Sequence, residues 1–595
     1  MTLPIPRRGR VAAVVLAVTL SLIAAAVAGA GSSHRQAGGG TATIALPAGT
    51  TPDFIFPIVD GAHYSVANIE QFQRLMYRPL YMYGKNGKPV VNDAASLANP
   101  PVFKKGNTQV TITLKSYNWS DGKPVTARDF TFLLNLLKAS KKNWAAYLPG
   151  DIPDNVKAVK ISNPKTFTLI LDRAYSPIWF TGNQLSQLMP IPQHVWDKKS
   201  ASGPVGNYDT TTAGATAVYN FLIGEAKKPS TYASNPLWQV VDGPWKLSAY
   251  RTDGYAAFVP NTRYSGAVKP KLDKFVEQPF TSAQAELNVL RSGGVDYGYL
   301  PQSEVAQAKA LQAQGYTFSP WIDWGINYMP FNFASPTVGA MFKQLYVRQA
   351  MQMVIDQKGY VRSLLKGFGW PTYGPVPVQP SNPYVSEFVK AGPYDYNPGK
   401  AASLLKSHGW TIHPDGASEC TGSCGPGVKK GAKLEFKLIY ASGDTTVSQE
   451  VQAWKSAASK IGVKLDLSEA PFNQVIAAAA PCKSGQACKW EIAFWGGGWL
   501  YGVNPIPVGD QQFLCGAGAN FGQYCDSTND ANIHGVQRQG GLGPMTRFQN
   551  YMAKELPVLW VPYRPYQLSM IKKTLKGVHQ SPILSLTPED WSFSK

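Results

Sequence analysis

The residues with the clearest chemical potential are Trp495-Gly496-Gly497-Gly498-Trp499-Leu500-Tyr501-Gly502-Val503-Asn504-Pro505, which follow a strand read at Trp490–Phe494. Two Trp and one Tyr stand among glycines, which let another backbone or a ligand approach closely. Aromatic faces in that setting suit stacking on sugar rings or on aromatic side chains. Trp495, Gly498, Trp499, Tyr501 and Asn504 are therefore candidate binding residues, with core packing as the competing role for the rings.

Residues for other chemistry are missing. The seven His (34, 63, 194, 408, 413, 534, 579) form no H-E-x-x-H, and none is paired at helical metal spacing. There is no G-x-S-x-G elbow and no G-x-x-x-x-G-K-[ST] phosphate loop. Gly541-Leu542-Gly543 is a fragment of a dinucleotide loop and reads as a turn. The pairs Asp151/Asp154 and Glu277/Glu286 are carboxylates, but sequence cannot set them about 5–10 Å apart across a cleft, as glycoside hydrolysis requires. No cofactor and no metal is expected, and the chain reads as a non-enzyme. An exported hydrolase on a binding scaffold stays open as an alternative.

Six cysteines, Cys420, Cys424, Cys482, Cys488, Cys515 and Cys525, lie close together in pairs. An even count in an exported chain reads as disulfides. Neighbour pairing (420–424, 482–488, 515–525) is the simplest of 15 connectivities, each bridge contributing about 2–3 kcal/mol by closing a short loop. Of the pairs, only Cys420 and Cys424 have metal-ligand spacing.

Export is legible at the N-terminus. Arg7, Arg8 and Arg10 precede Val11–Ala30, an uncharged stretch rich in Ala, Val and Leu with small-x-small patterns at its end. Residues 1–30 read as a signal peptide or, if retained, as an N-terminal anchor. Residues 31–43 read as a linker. The expected location is outside the cytoplasm: the outer face of the cell membrane, the wall space or the periplasm. The chain has 595 residues, more than one core supports, and a net charge of +20. Its basic residues are scattered through loops, so nucleic acid is not an expected partner.

Positioning elements follow from periodicity. Val110–Leu114 alternates as a strand. Thr126–Lys138 reads as a helix that Thr126 caps, with Phe130, Leu133, Leu134 and Leu137 on one face. Asn397-Pro398 opens another helix and Gly409 stops it. The clearest unit is 434–467: alternating Leu434, Phe436, Leu438 and Tyr440; a stripe of Val447, Val451, Trp454, Ala458 and Ile461 ended by Gly462; then alternating Val463, Leu465 and Leu467. Strand, helix, strand with short joints implies a parallel pair.

Several stretches, in order, resemble the extracytoplasmic oligopeptide/dipeptide/nickel solute-binding proteins of ABC importers. Arg74-Leu75-Met76-Tyr77-Arg78-Pro79-Leu80 and Gly87–Val91 resemble the family's opening. Asn118–Phe130 (NWSDGKPVTARDF) is similar to its W-S-D-G-x-P-x-T-A-x-D core. Asp242–Leu247, Asn261–Tyr264, Pro270–Asp273, Leu290–Asp296, Asn332 with Val347–Ala350 and Ile355-Asp356, and Tyr394-Asp395 before Lys400-Ala401 follow. Most of these residues read as structural: Asp121-Gly122 a turn, Thr126 a cap, Arg348 a bonder between elements.

The resemblance implies an α/β, two-lobed periplasmic-binding-protein-like fold with an inserted subdomain in lobe I. Lobe I would comprise residues 44–63, 211–324 and 566–595, the insert 64–210, and lobe II 325–565. It implies a monomeric receptor that captures oligopeptides by lobe closure and hands them to a membrane permease. An oligosaccharide or another aromatic-stacking solute is the alternative cargo. The family's peptide binders place an Asp after a Trp-containing strand end to pair with the peptide's ammonium. Here Gly498 and Gly502 occupy the corresponding positions, leaving Asp510 or a lobe I residue as the anchor. Trp321, Trp324, Tyr328 and Asn332 flank the implied lobe crossing, and Phe54 and Phe56 follow the first strand; all six join the candidate site. No nickel ligand set is visible, since His413 has no companion His.

Overall fold

The strand Thr41–Ala45 buries Ala42 and Ile44 and so belongs inside a sheet. In the computed structural model, which describes residues 39–479 and 490–594, it runs parallel to Lys274–Gln278 and, through Ile44 opposite Tyr297, to Tyr297–Leu300. Seven strands result, in the order Tyr316–Trp321, Gln567–Lys572, Tyr297–Leu300, Thr41–Ala45, Lys274–Gln278, Ala256–Pro260, Trp245–Tyr250. Residues 41–43, read as the end of a linker, are thus the first residues of the central strand. The Gly-rich composition before them masked a strand whose alternation is only five residues long.

The second lobe is built on the expected parallel unit. Glu435–Ala441 lies between Lys464–Ala470 and Ile492–Phe494, parallel to both, with Leu438 opposite Leu467 and Ile492. The helix Thr445–Ser459 connects the pair, capped by the Asp444 carboxylate on the Thr446 N–H at 2.9 Å. Its stripe of Val447, Val451, Trp454 and Ala458 is buried. A connection long enough to carry a helix is what parallel neighbours need.

A separate, four-stranded antiparallel sheet is formed by Val102–Lys104, Gln109–Thr113, Thr166–Leu171 and Val156–Asn163. The helix Ala127–Ser140 opens with a reciprocal cap between Thr126 and Asp129. Buried Phe130, Leu133, Leu134 and Leu137 form the predicted face. The helix Thr212–Ala226 packs on Ala127–Ser140. Arg128 ties the same region together through Asp209 at 2.8 Å.

Two stretches cross between the lobes. On the first, Gly325–Ile326 pairs with Trp499–Leu500 and Tyr328–Pro330 pairs with Val558–Trp560. The return stretch faces it, and the Tyr563 hydroxyl donates to Asp323 at 2.5 Å. After it the chain rejoins the seven-stranded sheet, and Glu589 forms a buried ion pair with Arg78. Arg348 donates to the carbonyls of Phe342 and Glu555, a structural role. Cys420–Cys424 and Cys515–Cys525 are bonded. Cys482–Cys488, the segment 1–30 and the linker up to residue 38 lie outside the described residues. Among the described residues no helix is long and apolar enough to cross a membrane.

Candidate ligand-binding cleft

A cavity of about 370 Å³ opens between the segment Tyr64–Glu70 and the second lobe. That size falls within the usual range for small-ligand sites. One wall is Tyr64, Ser65, Val66, Ile69 and Glu70; the other is Phe472, Ile476, Trp495, Gly497, Gly498, Trp499, Leu500, Gly502, Val503 and Phe521.

The first wall is fixed by the chain that follows the central strand. Asn68 accepts the N–H groups of Asp53 and Phe54 at 2.8 and 3.0 Å, and Gln73 donates to the carbonyls of Phe54 and Phe56. The helix Ala67–Gln73 is wound with wide i→i+5 turns, a geometry frequent at functional sites. Glu70 is 1% exposed and pairs with Arg74; its Oε2 also accepts the Ser585 hydroxyl at 2.6 Å. Its Oε1 has no partner. Burial pushes the Glu70 carboxyl up, against the pull of the Arg74 guanidinium.

The second wall is held by tertiary contacts. Trp495 donates its indole N–H to the Gly498 carbonyl at 2.9 Å, and its ring meets Tyr328 and Phe521 edge-on at 5.5 and 5.4 Å. Gly498 has φ +55°, and a Cβ there would stand 1.8 Å from the Ile326 carbonyl. Only glycine lets Trp499–Leu500 lie against the first crossing stretch. Phe472 is 49% exposed at the rim.

The two sides of the molecule also meet beside the cleft. Asn183 donates to the Ile506 carbonyl and accepts its N–H, both at 2.9 Å. Asn183 sits on Phe180–Gln184, a second helix with i→i+5 turns. Ser186 donates to the Val503 carbonyl at 3.4 Å, and the Ser176 N–H to the Gln537 carbonyl at 2.8 Å.

Of the residues singled out in the sequence, Trp495, Gly498 and Trp499 line this cavity. The others lie outside its lining. Tyr501 is buried, donating to the Pro375 carbonyl at 2.8 Å. Asn504 is buried with both amide atoms unpartnered. Asp510 is buried beside Gln537, 3.3 Å away, and burial raises its carboxyl. Trp321 and Trp324 spend their indole N–H groups on the carbonyls of Ser581 and Pro505. Tyr328 supports Trp495 from behind, and Asn332 donates to the Trp490 carbonyl. Phe54 stacks on His63 at 4.3 Å, and Phe56 packs among Trp196, Tyr219 and Trp238. Tyr64, Glu70, Phe472 and Phe521 escaped sequence reasoning. Glu70 and Arg74 stand at i,i+4 spacing, the one local signal that could have drawn attention there.

A cleft walled from two sides, on two α/β units joined by a double crossing, defines a two-lobed solute-binding protein of the periplasmic-binding-protein class. The chain belongs to the bacterial extracellular solute-binding proteins, family 5, whose profile matches residues 95–517. A putative ABC transporter peptide-binding protein of Brucella ovis is 26% identical over 345 residues, 56% of this chain and 55% of that one. The alignment thus spans about half the length of that relative. A probable ABC transporter-binding protein of Deinococcus radiodurans is 25% identical over 82% of each chain. Among solved structures, the oligopeptide-binding protein AppA of Bacillus subtilis with a nonapeptide superposes with a TM-score of 0.67 at 18% identity, over 94% of this chain and 100% of that one. NikZ of Campylobacter jejuni with Ni(L-His) superposes at 0.68 and 20% identity, over 93% and 99%. These likenesses establish the shared fold.

Proposed function

We propose that the chain is the substrate-binding receptor of an ABC importer, capturing oligopeptides by lobe closure outside the cytoplasm and delivering them unchanged to a membrane permease. The observation that carries the reading is the aromatic cleft walled by Tyr64–Glu70 on one side and by 495–503 on the other. A ligand touching both walls binds the closed state better than the open one and so shifts the population toward closure. Family membership and relatives described as ABC transporter peptide-binding proteins support the same role. The reading keeps lobe II at 325–565 and lobe I around the seven-stranded sheet, supported by strands drawn from 41–45, 245–321 and 567–572.

Thermal unfolding of the purified protein with defined peptide pools tests this. Saturation at about 100 times Kd stabilises the native state by about 2.7 kcal/mol, and mass spectrometry should recover the peptides intact. Hydrolysed peptides would identify an enzyme instead. A second cargo, an oligosaccharide or another stacking solute, is favoured by the predominance of aromatic and apolar side chains in the cleft. Stabilisation by oligosaccharides without any by peptides would select it.

A further inference from the structure

Side-chain polar atoms buried without a partner occur in many parts of the molecule, and some of them lie at or beside the cleft. Glu70 Oε1 and Trp499 Nε1 belong to its lining residues; Tyr328 Oη lies behind Trp495, and the Asn504 amide is next to Val503. Glu70 stands apart because it is a carboxylate. Its Oε2 is claimed twice, by Arg74 and by Ser585, while Oε1 is claimed by nothing. A buried carboxylate oxygen left unpaired is costly, and that cost is recovered when a cationic donor arrives.

The local charge balance favours a cation. Glu70 is the one charged side chain among the residues that line the cavity; Arg74, its partner through the other oxygen, is not part of that lining. Across the cavity the wall of Phe472, Trp495, Trp499 and Phe521 offers aromatic surface to whatever body that cation carries.

We propose that Glu70 anchors the terminal ammonium group of the bound peptide from the first-lobe wall, with the residue behind that ammonium seated on the Trp495–Trp499 side. The proposal rests on the peptide-receptor reading above. It supplies the carboxylate that Gly498 and Gly502 cannot, and it fixes the peptide's direction, amino end toward the helix Ala67–Gln73. Glu70 here touches ligand; Arg74 and Ser585 hold its other oxygen and act as positioning residues.

Calorimetric titration tests this with one tetrapeptide of uncharged, aromatic-leading sequence, free at its amino end or N-acetylated. In the unaltered protein acetylation should weaken binding about 10- to 100-fold, the range for a hydrogen bond to a charged group. In Glu70→Gln the free peptide should fall to the level of the acetylated one, which itself changes less than about twofold. Glu70 also pairs with Arg74, so Glu70→Asp serves where the Gln variant does not fold. It keeps the charge, draws the oxygen back by one methylene, and should likewise shrink the discrimination. Equal binding of both peptides to the unaltered protein, or full discrimination surviving in a folded Glu70 variant, overturns the Glu70 assignment while leaving a peptide receptor. Binding of neither peptide, nor of any in the wider pools, overturns the receptor reading and this proposal with it.

Discussion

Trp321 and Phe472 show how differently two aromatic residues of one chain are used. Trp321 is buried, donates to Ser581 and packs on Tyr297 and Tyr566; Phe472 is half exposed at the cleft rim. Trp321→Ala should cost about 3–5 kcal/mol of stability, the range for emptying a large aromatic site, read as a lower denaturation midpoint. Phe472→Ala should leave that midpoint nearly unchanged, as exposed substitutions do, and weaken peptide binding about 5- to 10-fold in a titration. Sequence reasoning ranked Trp321 as a candidate and overlooked Phe472, because residue type alone does not say which aromatic faces solvent. The same reasoning found Trp495 and Trp499, whose glycine neighbours announced a close approach of chains.

At the scale of elements, short contacts join residues 183–186 to the loop after Tyr501. The Asn183 carboxamide makes two hydrogen bonds to the Ile506 backbone, one in each direction. If the lobes part to admit ligand, as the proposed function requires, water replaces both, and the bonds then bear on the closed state more than on folding. Asn183→Ala should therefore speed peptide dissociation about 10- to 30-fold, measured by stopped-flow fluorescence, with little change in the unfolding midpoint. Nothing in the local pattern around Asn183 announces this, since its partner lies 323 residues away. By contrast, the unit 434–467 and the helix after Thr126 were legible as drawn. Their signals are local: period-2 alternation, a 3.6-residue stripe, a cap and a stop.

At the scale of the whole molecule, several buried carboxyls titrate near neutrality. Burial lifts Asp242, Glu286 and Glu450 to about 8 and Asp323 to about 7. An unfolded carboxyl ionises near 4, so between about pH 4 and pH 8 the native chain holds protons that the unfolded chain has released. Stability then falls as pH rises through that window. Carboxyls held low by a cation, such as Asp154 beside Lys141 and Asp444 beside Arg564, act in the opposite sense, and only at acid pH. The unfolding midpoint should decline from pH 5 to pH 8.5 in a calorimetric series. Asp323→Asn, which removes one titrating group at the crossing, should flatten the decline.

What the sequence determined by itself is everything set by neighbours along the chain: the parallel strand–helix–strand unit, the helix caps, the bonds Cys420–Cys424 and Cys515–Cys525, and, through ordered motifs, the family. Three cleft residues also came from it, because glycines and tryptophans stood side by side. Tertiary structure alone decided that Tyr64–Glu70 forms the facing wall, that Tyr501 and Asp510 turn away from the cavity, and that one carboxylate oxygen of Glu70 is left over. The physical reason is that the cleft is made by two surfaces joined only through the fold. Which atoms remain unpaired after residues 70, 74 and 585 meet is a property of that meeting, and no stretch of chain records it.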